Sequence, residues 1–122
     1  LEKEFMKAFL IAIASLGIYQ TASGQAPVGK IDPSLKLDTL EVACGMCQFE
    51  MSGNDCALAA RVKTRTYYVE GTHIDKHGDA HAKDGFCNMI RKAEVQGGFS
   101  GDKYKVTYFK LLPLNTPPDK KP

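Results

Sequence analysis

The 122-residue chain carries little excess charge: 16 Lys and Arg stand against 14 Asp and Glu, a formal net charge of +2. Its basic residues are scattered, and its aromatics do not interleave with them on one face. That balance supplies no electrostatic footprint for a nucleic acid, so none is expected as a partner. A Gly-rich phosphate loop of Walker or Rossmann form is missing, which removes the common nucleotide-binding classes. No internal repeat occurs, and no apolar run beyond residue 24 reaches the ~20 residues of a membrane span. Catalytic constellations are equally thin. Ser52 has no His or Asp at a recognisable motif spacing, and nothing local brings Glu50 and Glu70 together. Cys87 with His81 as its base would lie on different faces of a helix. No catalytic residue is assigned, and the chain is read as non-enzymatic.

Cysteine and histidine are also scarce, with 4 and 3 residues, yet all of them fall between positions 44 and 87. Cys44, Cys47, Cys56, His73, His77, His81 and Cys87 are the one dense chemical signal. What a chain does with such a set depends on its redox compartment. Here the N-terminal pattern bears on that. Met6-Lys7 precedes an apolar stretch over residues 8–19, and small residues follow at Ala22-Ser23-Gly24. This is the architecture of a cleaved secretory signal. Residues 1–24 are therefore expected as signal peptide, with Met6 as the start and cleavage after Gly24. The mature protein is then periplasmic or secreted, with no stable membrane anchor after cleavage.

The remaining length suits one domain. Residues 25–34 read as a flexible lead-in and 113–122 as a Pro-rich disordered tail, leaving a single β-rich domain over 35–112. Strands are expected over residues 35–44, 57–62, 66–70, 93–99 and 104–112. Leu40, Val42 and Cys44 share one face of the first; Tyr104, Val106 and Tyr108 share one face of the last. Phe109 and Leu111 are apolar on the opposite face, which predicts a change of face or burial on both sides. One helix is expected over residues 80–91, capped by Asp79, with Phe86, Cys87 and Ile90 on its apolar side. Three strands, a helix and two strands predict a mainly β fold, a small OB-like five-stranded barrel whose helix closes one end. A two-layer α+β sheet is the alternative.

Cys44-Gly45-Met46-Cys47 is a CxxC, in which two thiolates grip one metal from a tight turn that glycine permits. A redox CxxC would open a helix in a βαβ setting, whereas Gly53-Asn54-Asp55 reads as loop. With Cys56 and Cys87 the four thiols make either an all-cysteine tetrahedral site or two disulfides. Three pairings exist. If Cys47 and Cys56 flank a hairpin loop they face each other, and Cys44 then meets Cys87. His73, His77 and His81 follow one another every fourth residue and are candidate ligands for Zn or Cu, with Asp75, Asp79 and Asp84 as supports. Met46 and Met51 either favour copper or fill gaps in the core. Because a stapled fold alone leaves the His-rich stretch unexplained, the expected function is transition-metal binding (Zn or Cu). A disulfide-stapled periplasmic interaction module for an unidentified protein or small ligand is the alternative.

Val42-Ala43-Cys44-Gly45-Met46-Cys47-Gln48-Phe49, then Gly71-Thr72-His73-Ile74-Asp75, then the run from His77 through Phe86-Cys87-Asn88 and Ile90-Arg91-Lys92-Ala93, resemble a family of small exported bacterial proteins of unknown function. The resemblance covers about residues 40–112. It implies a signal peptide and one β-rich domain, and the signal looks like that of Bacteroidetes. It brings no established activity, so no catalytic residue carries over. Some members bear a glutaminyl-tRNA synthetase label, for which this chain is too short and lacks a nucleotide-binding motif.

Overall fold

Alternating apolar residues and β-branched or aromatic side chains build the strands of this computed structural model, which describes residues 25–114. In chain order they are β1 (Val28–Gly29), β2 (Asp38–Cys44), β3 (Leu58–Val62), β4 (Arg65–Glu70), β5 (Arg91–Ser100) and β6 (Lys103–Leu111). A single helical turn, α1 (Gly45–Gln48), follows β2, and a 3-10 turn (Ile74–His77) follows β4. Strand β2 pairs with β3, β3 with β4, β4 with β6, β6 with β5, and β5 with β2. The ring is closed. Only β4 and β6 run parallel; every other pair is antiparallel. The expected OB-like barrel of five strands is what forms, and the two-layer alternative is not. Among the described residues no helix is long and apolar enough to cross a membrane. The signal peptide read at 1–24, and the tail from residue 115 onward, lie outside the described residues.

The core is one cluster on the inner wall: Val42 and Cys44 from β2, Leu58 and Ala60 from β3, Ala93 and Val95 from β5, and Tyr104, Val106 and Phe109 from β6. The change of face expected in β6 has a defined origin. Gln96 pairs with Tyr108 but Gly97 pairs with Val106, so two steps along β6 oppose one step along β5. This bulge inserts one residue, and a one-residue insertion flips the alternation. Tyr104 and Val106 point inward before it, Phe109 and Leu111 after it.

Two expectations are corrected. The first is the helix over residues 80–91. The segment folds instead as consecutive tight turns, with Ala82 N–H donating to Asp79 O (3.1 Å), Gly85 to Ala82 O (2.9 Å) and Asn88 to Gly85 O (3.0 Å). Asp79 does cap, but its carboxylate takes the N–H of His81 two residues on (2.9 Å), closing a turn rather than a helix. Residues 71–90 still close the barrel end, by inserting Ile74, Ala80 and Phe86 into the core. The second is the flexible lead-in at 25–34. Val28 and Gly29 pair with Phe109 and Tyr108. The buried Gln96 amide then accepts from Asp32 N–H (2.8 Å) and donates to Asp32 O (2.8 Å) and Leu35 O (3.1 Å). This segment is part of the folded unit.

Candidate metal centre

All four cysteines meet at one end of the barrel, and each arrives on a different kind of backbone. Cys44 is the last residue of β2 and fully buried. Cys47 lies in α1, Cys56 in the loop ahead of β3, and Cys87 in the turns of the 71–90 link. The segments are tied together by their main chains. Cys44 N–H donates to Phe86 O (3.0 Å), Gly45 N–H to Ala57 O (2.9 Å), and Cys87 N–H to Ala80 O (2.9 Å). Gln48 Nε2 donates to Cys87 O (2.9 Å), so the backbone at Cys87 is held from both sides.

Two glycines permit the approach. A Cβ on Gly45 would stand 2.6 Å from Tyr68 Cε1 and 3.0 Å from Met51 Sδ. Tyr68 is itself held there, its hydroxyl donating to Ser52 O (2.8 Å). A Cβ on Gly85 would stand 2.3 Å from Ala80 O and 2.4 Å from Asp79 O, both main-chain atoms. That close stacking of Gly85 on the preceding carbonyls is what turns the chain in time to deliver Cys87.

The four Sγ atoms lie within 4.8 Å of one another. Cys56 Sγ is 3.6 Å from Cys87 Sγ and 3.9 Å from Cys47 Sγ. A zinc ion bound by four thiolates at ~2.3 Å spaces them about 3.8 Å apart along a tetrahedral edge. The cluster thus has the dimensions of a tetrathiolate centre. All four thiols are free. The pairing expected for a stapled fold, Cys47 with Cys56 and Cys44 with Cys87, is not formed, and Cys56 lies nearer Cys87 than Cys47.

The electrostatics of the cluster explain what it wants. For Cys44, burial is the largest influence and pushes the thiol up. The N–H of Cys47, the thiols of Cys47 and Cys56, and the N–H of Met46 all favour its thiolate, and together they bring it below the ordinary cysteine value. Its neighbours move the other way. Cys47 is pushed up to about 11, first because its proton bonds to Cys44 and then by burial. Cys87 is pushed up further, by burial first and then by hydrogen bonding to Cys56 and Cys47. Cys44 thus favours the thiolate, while Cys47 and Cys87 are held as thiols mainly by burial and by hydrogen bonding within the cluster, with like charge adding to this. A cation at its centre reverses that balance and lets all four ionise.

The histidines do not join it. Among the described residues the one convergent group of potential metal ligands is the four cysteines. His77 is buried: its ring centroid lies 4.4 Å from that of Phe109, and its Nε2 bonds to Thr72 Oγ1 at 2.8 Å. Its place is in the core. His73 and His81 are exposed, with Asp75 and Asp79 as neighbours at 3.4 and 3.9 Å. His73 Nδ1 accepts from Asp75 N–H (3.3 Å) at the start of the 3-10 turn. The three histidines, four residues apart, share no common stripe, because only Ile74–His77 forms a 3-10 turn and the chain from Gly78 on runs through tight turns. Met46 is 40% exposed and fills no core gap, whereas Met51 packs beside Gly45. Sequence reasoning missed Tyr68, Gln48 and the glycine contacts. Tyr68 and Gln48 act on residues distant in the chain, and the Gly85 contact depends on how the 79–85 turns stack, so none of them carries a local signal.

No curated protein and no solved structure matches the chain. The family whose model does match spans residues 38–112, from the first residue of β2 to the end of the barrel, and includes all four cysteines. By that match the chain belongs to a family of unknown function, DUF6370.

Proposed function

We infer that this protein is a non-enzymatic, exported domain that binds one transition-metal ion, zinc before copper, through Cys44, Cys47, Cys56 and Cys87. The observation that carries the reading is the convergence of four free thiols at tetrahedral spacing. Four protein ligands leave a zinc ion no open position for water or substrate, which is the pattern of a structural or holding site rather than a catalytic one. Thiolates also suit Cu(I), so composition alone does not separate the two metals. Export rests on the leader-like pattern of residues 1–24, and it places the site in an oxidising compartment, where bound metal competes with disulfide formation.

The test is the intact native mass of residues 25–122, exported to a bacterial periplasm and purified without chelator. The expected species is heavier by one zinc, with four thiols recovered after denaturation in acid. A mass short by four hydrogens, with no metal, overturns the reading in favour of a stapled interaction module. A copper adduct instead keeps the site and changes the ion.

A further inference from the structure

Within the cluster the four thiols are not equivalent. Cys44 is fully buried, beyond reach of a solute. Cys56 is exposed, on a loop with no helix or strand of its own, and stands beside two other thiols. The nearer is Cys87, at 3.6 Å. Thiol–disulfide exchange needs one accessible sulfur to attack and a second within reach to resolve the mixed disulfide. Cys56 meets the first requirement and Cys87 the second.

We propose that Cys56 and Cys87 form a redox latch on the metal centre, which a small-molecule disulfide closes and which expels the metal as it closes. The latch rests on the metal-binding reading above. Cys56 Sγ leaves the metal and attacks one sulfur of the small disulfide, whose S–S bond breaks and releases one small thiolate. Cys87 Sγ then attacks Cys56 Sγ in the mixed disulfide and displaces the second small thiolate. Two electrons pass from the protein thiolates to the small disulfide, and its two thiolates take protons from water. The ion keeps only Cys44 and Cys47 and dissociates. The new bond joins the loop ahead of β3 to the 71–90 link, two segments that the ion had also joined. The barrel end therefore stays cross-linked while the metal leaves. The core residues Val42, Val95 and Phe109 belong to strands that carry neither latch cysteine. Cys87 packs against the core beside Phe86, and its new bond to Cys56 keeps that link seated, so the metal leaves without unfolding the barrel.

The experiment uses the chain loaded with zinc under reducing conditions, desalted, with the bound zinc measured first. Oxidised glutathione is then added beside a chromogenic zinc chelator, and disulfides are mapped by peptide mass at timed points. The expected result is zinc release mole for mole with a Cys56–Cys87 disulfide, at unchanged far-ultraviolet circular dichroism. Cys47→Ser, stripped of metal and treated in the same way, forms the same bond, because Cys47 takes no part in it. Zinc retained against the oxidant, a first disulfide at Cys47–Cys56 or Cys44–Cys47, or a lasting glutathione adduct overturns the latch and leaves the metal site standing. Failure to load zinc at the first step overturns the metal reading, and the latch with it.

Discussion

At the scale of single residues, the two glycines beside the cysteine cluster differ in what surrounds them. Gly45 faces a tyrosine ring and a methionine sulfur, which are side chains able to move. Gly85 faces two carbonyl oxygens, which move only with the backbone. Gly45→Ala is expected to cost about 1–3 kcal/mol, the usual range for overpacking. Gly85→Ala is expected to cost more and to weaken zinc binding further, because it displaces the segment that carries Cys87. Urea unfolding and a zinc competition assay on the two variants check this, and equal effects would contradict it. His77 supplies a pH dependence. Burial lowers its pKa in the folded protein, so the unfolded chain binds the proton more readily. Stability is full above the unfolded value of ~6.5 and is lost as pH falls from there through the folded value. Measured on reduced, metal-free protein, the urea midpoint should fall between pH 7.5 and 5 in the wild type and fall less in His77→Gln. Parallel profiles would remove His77 as the cause.

At the scale of elements, the N-terminal segment depends on one buried side chain. Gln96 makes three hydrogen bonds to the backbone of Asp32 and Leu35, across more than sixty residues of chain. Each such bond contributes on the order of 1 kcal/mol, and the backbone partners belong to the exposed residues Asp32 and Leu35, where water replaces part of what the amide supplied. Gln96→Ala is expected to cost about 2–3 kcal/mol. It should also remove hydrogen-exchange protection at the Asp32 amide while leaving the β2–β3 ladder protected. Retained protection at Asp32 would show that β1 alone anchors the segment. The 71–90 link illustrates the complementary case. Its hydrophobic content was right for closing the barrel, as Ile74, Ala80 and Phe86 show, and its helix was wrong. Gly85, Asp79 and Asn88 all favour turns, and Asn88 Nδ2 satisfies the carbonyls of His81 (3.0 Å) and Ala82 (2.8 Å) in place of helical bonding.

At the scale of the whole molecule, the four cysteines come from the β2–α1 corner, the loop ahead of β3 and the 71–90 link, so an ion held by all four would join segments otherwise tied by a few main-chain hydrogen bonds and the Gln48 side chain. Binding to the folded state alone stabilises by mass action, about 2.7 kcal/mol at free zinc one hundredfold above Kd. Tm should therefore fall on adding a strong chelator to reduced, zinc-loaded protein and recover with excess zinc. An unchanged melt would count against a site of this kind. Acid should release the ion as well, because all four thiolates must stay deprotonated to hold it and free thiols reprotonate readily at low pH. The fold itself is expected to survive in part without metal, since the barrel's inner cluster spans β2, β3, β5 and β6 as well as the link.

The five barrel strands, their inward faces and the barrel they close were legible in the chain's pattern, because period-two burial is a local property of each strand, whereas β1 was not. The sequence also marked the four cysteines as the chemical centre, through their crowding into one window. The histidines' every-fourth-residue spacing means a shared face only where the backbone is helical, and here His77 is buried while His73 and His81 are exposed. Whether that backbone is helical depended on Gly85 packing against the carbonyls of Asp79 and Ala80, and on Phe86 sinking into the barrel. Long-range packing alone brings four thiols from three separate segments within 4.8 Å of one another and draws His77 into the core. The reason is that ligand geometry is set by how β2, α1, the loop ahead of β3 and the link pack together, and no local pattern encodes that packing.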